Sequence, residues 1–183
     1  MRKIVAGLFI SLDGVTEAPD QWHFPYFNDE MGQAVNANME RSDALLLGRV
    51  TYDAFASYWP DKTGADDPFA DYINNVPKYV VSNTLDHADW QGTTVISGDV
   101  AGQIRELKEQ PGKDIGMTGS VATARWLLTE GLLDELDLLM HPIVVGKGDR
   151  LFPDGTGEVP LQLIHSSTFE NGVVHVTYVP ASG

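Results

Sequence analysis

Three times in this chain a run of apolar residues ends at a small residue and gives way to a helical pattern, and this recurrence restricts the fold more than any other feature. Lys3 to Ile10 is almost continuously apolar, Asp43 to Leu47 stops at Gly48, and Asp114 to Met117 runs into Thr118-Gly119-Ser120. A strand covered on one face alternates apolar and polar residues. Continuous runs instead suit strands covered on both faces, which are typical of parallel sheets flanked by helices.

The intervening segments supply those helices. Asn28-Asp29-Glu30 opens one whose Met31, Val35 and Met39 share a face; Ala54, Phe55 and Tyr58 follow Thr51 in another, stopped by Pro60. Pro68 to Asn74 reads as a helix after a polar loop, Asp99 as the cap of a helix carrying Val100, Ile104 and Leu107, and Val121 to Leu128 as the last, stopped at Gly131. Pro77 to Ser82 and Thr93 to Ile96 are further strands. Leu136 to Val145 is expected to be one long strand, and Leu161 to Phe169 and Val173 to Val179 flank Asn171-Gly172, a hairpin signal. The expectation is one α/β domain over residues 1–183, with a mostly parallel central sheet ending in an antiparallel hairpin.

Composition removes several function classes. With no cysteine, thiolate nucleophiles, Cys-ligated metals and disulfides are excluded, and a reducing cytoplasm is the expected setting. A formal net charge of -14 is wrong for a nucleic-acid or anionic-membrane partner and makes any basic residue beside an anion site conspicuous. The apolar run after Met1-Arg2-Lys3 is short and lacks a cleavage site, so it reads as a strand rather than a leader. The histidines at 23, 87, 141, 165 and 175 show no metal-ligand spacing and read as surface or satisfied sheet residues; no metal is expected.

Ligands in open α/β sheets bind beyond the carboxyl ends of strands, where helix N-termini offer free N–H groups to anions. Gly48-Arg49-Val50-Thr51 has that form and adds a guanidinium, although a capped helix with a surface arginine has the same spacing. Gly116-Met117-Thr118-Gly119-Ser120-Val121 repeats it without charge. Ser82-Asn83-Thr84 ends a strand with three polar side chains that suit either a ribose or a turn cap.

At these three junctions, in this order, the sequence resembles the dihydrofolate reductase family and its relative, the reductase domain of riboflavin biosynthesis enzymes. Ser11-Leu12-Asp13-Gly14, Gln21-Trp22 and Leu151-Phe152-Pro153 extend the resemblance along the whole chain. It implies a dihydrofolate reductase-like three-layer fold and NADPH as cofactor. Gly48, Arg49, Thr51, Gly119, Ser120 and Val121 would lie at its phosphates, Ser82, Asn83 and Thr84 at its adenosine end, and Ala6 beside it in the first strand. A homodimer is implied in the same way.

The substrate end departs from both relatives. Trp22-His23-Phe24-Pro25 is followed by Tyr26 and Phe27, where the classical enzymes carry a carboxylate, and the riboflavin-type basic segment for a sugar phosphate is replaced by the Gly-Arg-x-Thr form. Reduction of a C=N or C=O bond needs a proton as well as a hydride. Asp13 and Asp29 are the candidate acids; Trp22 and Glu30 are candidate substrate contacts. The expectation is a reductase of a pteridine or pyrimidine-like heterocycle. The alternatives are reduction of a ribosylaminopyrimidine phosphate, or a non-catalytic dinucleotide-binding or stress-related protein.

Overall fold

The computed structural model describes residues 1–181. Eight strands form one sheet: β1 (Ile4–Ser11), β2 (Ser42–Gly48), β3 (Lys78–Val81), β4 (Thr93–Ile96), β5 (Asp114–Met117), β6 (Glu135–His141), β7 (Leu161–Thr168) and β8 (Val174–Pro180). Their order is β4-β3-β2-β5-β1-β6-β8-β7. Strands β1 to β6 run parallel, so their carboxyl ends share one edge; β8 and β7 add the antiparallel pair. The predicted architecture is therefore present.

Helices cover both faces. Ile4, Ala6, Leu8 and Ile10 of β1 point toward α4 (Val100–Glu109) and α5 (Val121–Thr129), burying Ile104, Leu107, Ala124 and Leu127. The other face packs against α1 (Asp29–Glu40), α2 (Arg49–Tyr58) and α3 (Ala70–Asn75) through Met31, Tyr52, Ile73 and Trp90. Leu46 joins the first core and Leu47 the second, which is the alternation a strand covered on both faces must show.

Two expectations change. The strand expected from Leu136 to Val145 runs from Glu135 to His141, because Pro142 has no N–H to donate and the chain turns away there. The Asn171-Gly172 turn is a three-residue loop: Gly172 N–H closes a turn on the Phe169 carbonyl at 2.9 Å, and Gly172 takes φ 86°, which only glycine adopts without strain.

The amino ends of the strands carry an ionic network. Glu135, 4% exposed, accepts from Lys3 Nζ and Arg41 Nη1 at 2.8 Å each. Lys108 Nζ donates to Asp134 at 2.6 Å, and Arg2 pairs with Asp43.

On the α1 face the buried Asp137 accepts from Asn38 Nδ2 and Thr177 Oγ1 at 2.6 Å and from His175 Nε2 at 2.8 Å. Burial alone would raise its pKa; the hydrogen bonds from His175, Thr177 and Asn38 outweigh it and hold the carboxyl below its ordinary value of 3.8. A depressed carboxyl contributes stability that is present above the unfolded value and lost as pH falls through the native one. Asp137→Ala should therefore cost about 2–3 kcal/mol in urea denaturation at pH 7, by leaving buried donors unpaired. The gap to the unaltered protein should narrow as pH falls below 3.8.

Candidate functional site

The carboxyl-terminal edge brings the predicted junctions into contact. Because β2 and β5 are neighbours, Gly48 and Gly119 meet: Gly48 N–H donates to the Gly119 carbonyl at 3.1 Å. A Cβ on Gly48 would overlap Ser120 Oγ and come within 2.5 Å of Thr123 Oγ1, and one on Gly119 would overlap Thr51 Oγ1. The hydroxyls fill the space that the glycines leave, and Ser120 Oγ and Thr123 Oγ1 bond each other at 3.0 Å. The Thr51 and Ser120 side chains thus lock the two junctions together.

What faces outward is backbone. Helices α1 and α4 are capped by the Asn28 and Asp99 side chains, which accept from Met31 and Gly102 N–H at 3.0 Å. Helices α2 and α5 have no side-chain cap. Their first-turn N–H groups, those of Arg49, Thr51 and Val121 among them, lie at the predicted phosphate-holding junctions.

Arg49 lies in the first turn of α2, a turn earlier than predicted, where the helix dipole disfavours a cation. Its Nε donates to both Asp53 oxygens, at 2.8 and 2.9 Å, and its Nη1 reaches Thr84 Oγ1 at 3.4 Å. Arg49 therefore ties the first junction to the end of β3. Beyond Thr84 an open groove of about 390 Å³ is lined by Val81, Asn83, Gly98, Asp99 and Trp126. A larger open hollow of about 900 Å³ lies on the far side of α2, against α3 and Leu85 to Gln91. The Tyr52 and Trp90 side chains in its wall are already engaged: Tyr52 Oη accepts from Trp90 N–H at 3.4 Å, and Trp90 Nε1 donates to Asn74 at 3.2 Å. The hollow is walled by Tyr52, Asp53, Ala56 and Ser57 of α2, whereas the groove meets α5 through Trp126 and the capped start of α4 through Asp99.

Several predicted site residues have other work. Ser82 Oγ accepts from the N–H groups of Thr84 and Leu85 at 3.2 and 3.1 Å, so it caps a turn, while Asn83 and Thr84 remain exposed. Ala6 is completely buried, paired with Met117 and Leu136, and its side chain faces the core instead of the edge. Glu30 accepts from Glu170 N–H at 2.8 Å and fastens α1 to the hairpin; it does not line the groove. Asp29 is exposed at the start of α1, where a carboxylate complements the helix dipole. Trp22 is buried, donates Nε1 to the Glu17 carbonyl at 3.1 Å and stands edge-on to His141 at 5.1 Å.

Asp13 requires a correction. Its carboxylate accepts from Ser11 Oγ at 2.6 Å, Val145 N–H at 3.0 Å and Gly146 N–H at 2.8 Å, and these bonds pull its pKa down to about 2. An acid that strong holds no proton at neutral pH. Asp13 fastens Val145-Gly146 to the end of β1, and the structure gives its carboxylate the setting of a structural anion.

Sequence reasoning passed over Asp53, although its place four residues after Arg49 on a helix was a usable signal. It also passed over Trp126 and misjudged two histidines. His141 is fully buried and His23 is 7% exposed; His141 Nε2 and His23 Nδ1 have no partner. Burial lowers both pKa values, that of His23 to about 4, with the neighbouring His141 adding to the effect. These rings cluster with Phe9, Trp22 and Tyr26.

With the geometry described, the chain can be compared with known proteins. The family model described as RibD C-terminal domain matches residues 2–175. The Bacillus subtilis (strain 168) protein YyaP, itself uncharacterised, is 30% identical over 183 residues, covering 97% of this chain and 94% of that protein. A Shewanella sp. PV-4 protein named for riboflavin biosynthesis superposes with TM-score 0.79 at 26% identity, covering both chains fully. The dihydrofolate reductase of Enterococcus faecalis shares the fold, with TM-score 0.66 at 16% identity over 98% of this chain and 97% of that one.

Gly48 has φ −79° and ψ 160°, so alanine fits its backbone and any cost of Gly48→Ala is purely steric. The substitution should lower stability by about 1–3 kcal/mol. The double variant Gly48→Ala/Ser120→Gly should recover part of the loss in thermal denaturation, with Thr123 accounting for the remainder.

Proposed function

This chain belongs to the RibD C-terminal domain family, and we propose that it is an NADPH-dependent reductase acting on a pteridine or pyrimidine-like heterocycle. One observation carries the proposal. Two helices without side-chain caps start at the Gly48–Gly119 contact, and Arg49 reaches from it to Thr84 at the end of β3, next to Asn83 in the wall of the groove. A dinucleotide has this chemistry, with a pyrophosphate for the free N–H groups and a nucleoside for the groove beside Trp126.

When bound, the nicotinamide would supply the hydride. Backbone N–H groups of Val121 and of the first turn of α2 would hold phosphate, with Arg49 adding charge-assisted bonds. Asn83 and Thr84 would border the adenosine. Trp22 shapes the substrate side through the aromatic cluster. Of the candidate acids, Asp13 is held by the Val145 and Gly146 N–H groups and Asp29 lies exposed at the start of α1, so water would supply the proton. A cytoplasmic setting and a homodimer belong to the same proposal; the outer edge of β7, where Leu163 and Ile164 are exposed, supports self-association.

NADPH should bind saturably in a fluorescence titration, and Arg49→Ala should weaken it about tenfold, as expected for loss of a charge-assisted phosphate contact. Binding that is absent, or indifferent to Arg49, refutes the proposal. A substrate panel followed at the nicotinamide absorbance should show oxidation with a neutral pyrimidine or pteridine. Turnover confined to a ribosylaminopyrimidine phosphate would support the riboflavin-pathway reaction, and binding without any turnover would support a non-catalytic role.

A further inference from the structure

The charge around the proposed nucleoside end is unusual for a site meant to select a phosphorylated ribose. The chain has 12 Lys and Arg residues. Arg2, Lys3, Arg41 and Lys108 are held in the network at the opposite edge of the sheet, while Arg125 and Arg150 pair with Asp149 and Asp13 on the loops beside β1. Arg49 is the cation that contacts the end of β3, and it is paired with Asp53, whose two oxygens both lie within 2.9 Å of its Nε. The groove beyond it has an acid, Asp99, in its wall and no basic side chain.

A ribose 2′-phosphate carries a charge between −1 and −2 at neutral pH and is selected by net positive charge. Here Asp53 cancels the charge of Arg49, and Asp99 opposes a phosphate placed in the groove. An unphosphorylated ribose presents hydroxyl donors instead, which a carboxylate or the Asn83 amide can accept. Asp53 engages only the Nε of Arg49, and Nη1 rests long on Thr84 Oγ1, so the guanidinium can still serve a pyrophosphate or a phosphate at the rim, with its field weakened.

Building on the dinucleotide reading above, we propose that Asp53 is a selectivity residue that neutralises Arg49, so that the site accepts NADH alongside NADPH. Asp53 touches neither reacting atom nor phosphate; it acts through Arg49.

The test is equilibrium titration of the full chain with NADH and with NADPH, for the unaltered protein and for Asp53→Asn. Asparagine keeps an acceptor for Arg49 Nε while removing the charge. The unaltered protein should bind the two dinucleotides within about tenfold of each other. Asp53→Asn should tighten NADPH about 3–10-fold and leave NADH unmoved, and the gain should shrink as salt is added, because it comes from a partly exposed charge. Discrimination beyond about 100-fold in the unaltered protein overturns the proposal, as does an unchanged NADPH-to-NADH ratio in Asp53→Asn while NADPH still saturates. If neither dinucleotide saturates the unaltered chain, the dinucleotide reading itself falls, and this inference with it. Circular dichroism of Asp53→Asn should match the unaltered chain, since the side chain is exposed on α2.

Discussion

The contact between the Gly48 and Gly119 backbones organises this molecule. It exists because the sheet places β2 beside β5, and it is close because neither residue carries a side chain. The hydroxyls of Thr51, Ser120 and Thr123 then interlock in the space left behind. In many helices Ser or Thr at the start would turn its oxygen back onto the first-turn N–H groups. Here packing takes Ser120 away from that task, and α5 is left with donors unsatisfied at the edge where ligands bind. Close packing and anion affinity are thus two results of the same contact.

The distribution of charge follows a related division. A protein with formal charge -14 repels an anion as a whole, so affinity depends on local arrangement. Much of the basic complement clamps the amino ends of the strands, where Glu135 draws in Lys3 and Arg41. That network holds the ends of β1, β2 and β6 in register, while at the carboxyl edge Arg125 and Arg150 are paired with Asp149 and Asp13 and the β2–β5 junctions are left to neutral N–H donors and Arg49. The Arg49–Asp53 pair further reduces the cationic character of that edge. Backbone donors therefore weigh more there, and on the proposed function they would recognise the phosphate groups shared by both nicotinamide dinucleotides.

The parts of the structure that were legible from sequence are those decided within a few residues. Continuous apolar runs identified β1, β2 and β5; Asn28 and Asp99 announced their helices; the Gly-Arg-x-Thr string marked its junction. Roles set by distant partners were not legible. Asp13 before Gly14 reads as an ordinary turn, and only Val145 and Gly146, more than a hundred residues on, make it a latch. Glu30 reads as a helix-start acid until Glu170 meets it. Lys78 looks like a surface residue at a strand start, yet it is fully buried, bonded to the Asn74 and Val76 carbonyls and set over Trp90, with burial pushing its pKa down to about 8. Sequence periodicity reports which face is covered, not which polar group waits there.

The substrate side illustrates the same point in chemical terms. A carboxylic acid serves as proton donor at neutral pH only where burial without compensating bonds raises its pKa. Asp13 receives three such bonds and becomes a firm anion. The buried polar groups nearby are imidazoles, His23 and His141, whose pKa values burial lowers, with His141 adding to the effect on His23, and each has one unpartnered nitrogen. Those nitrogens lie buried among the rings of Phe9, Trp22 and Tyr26, where a charge would go uncompensated. On the proposed function, the substrate end would part from both relatives because Asp13 and Glu30 are engaged elsewhere in the fold, which would leave recognition to neutral groups.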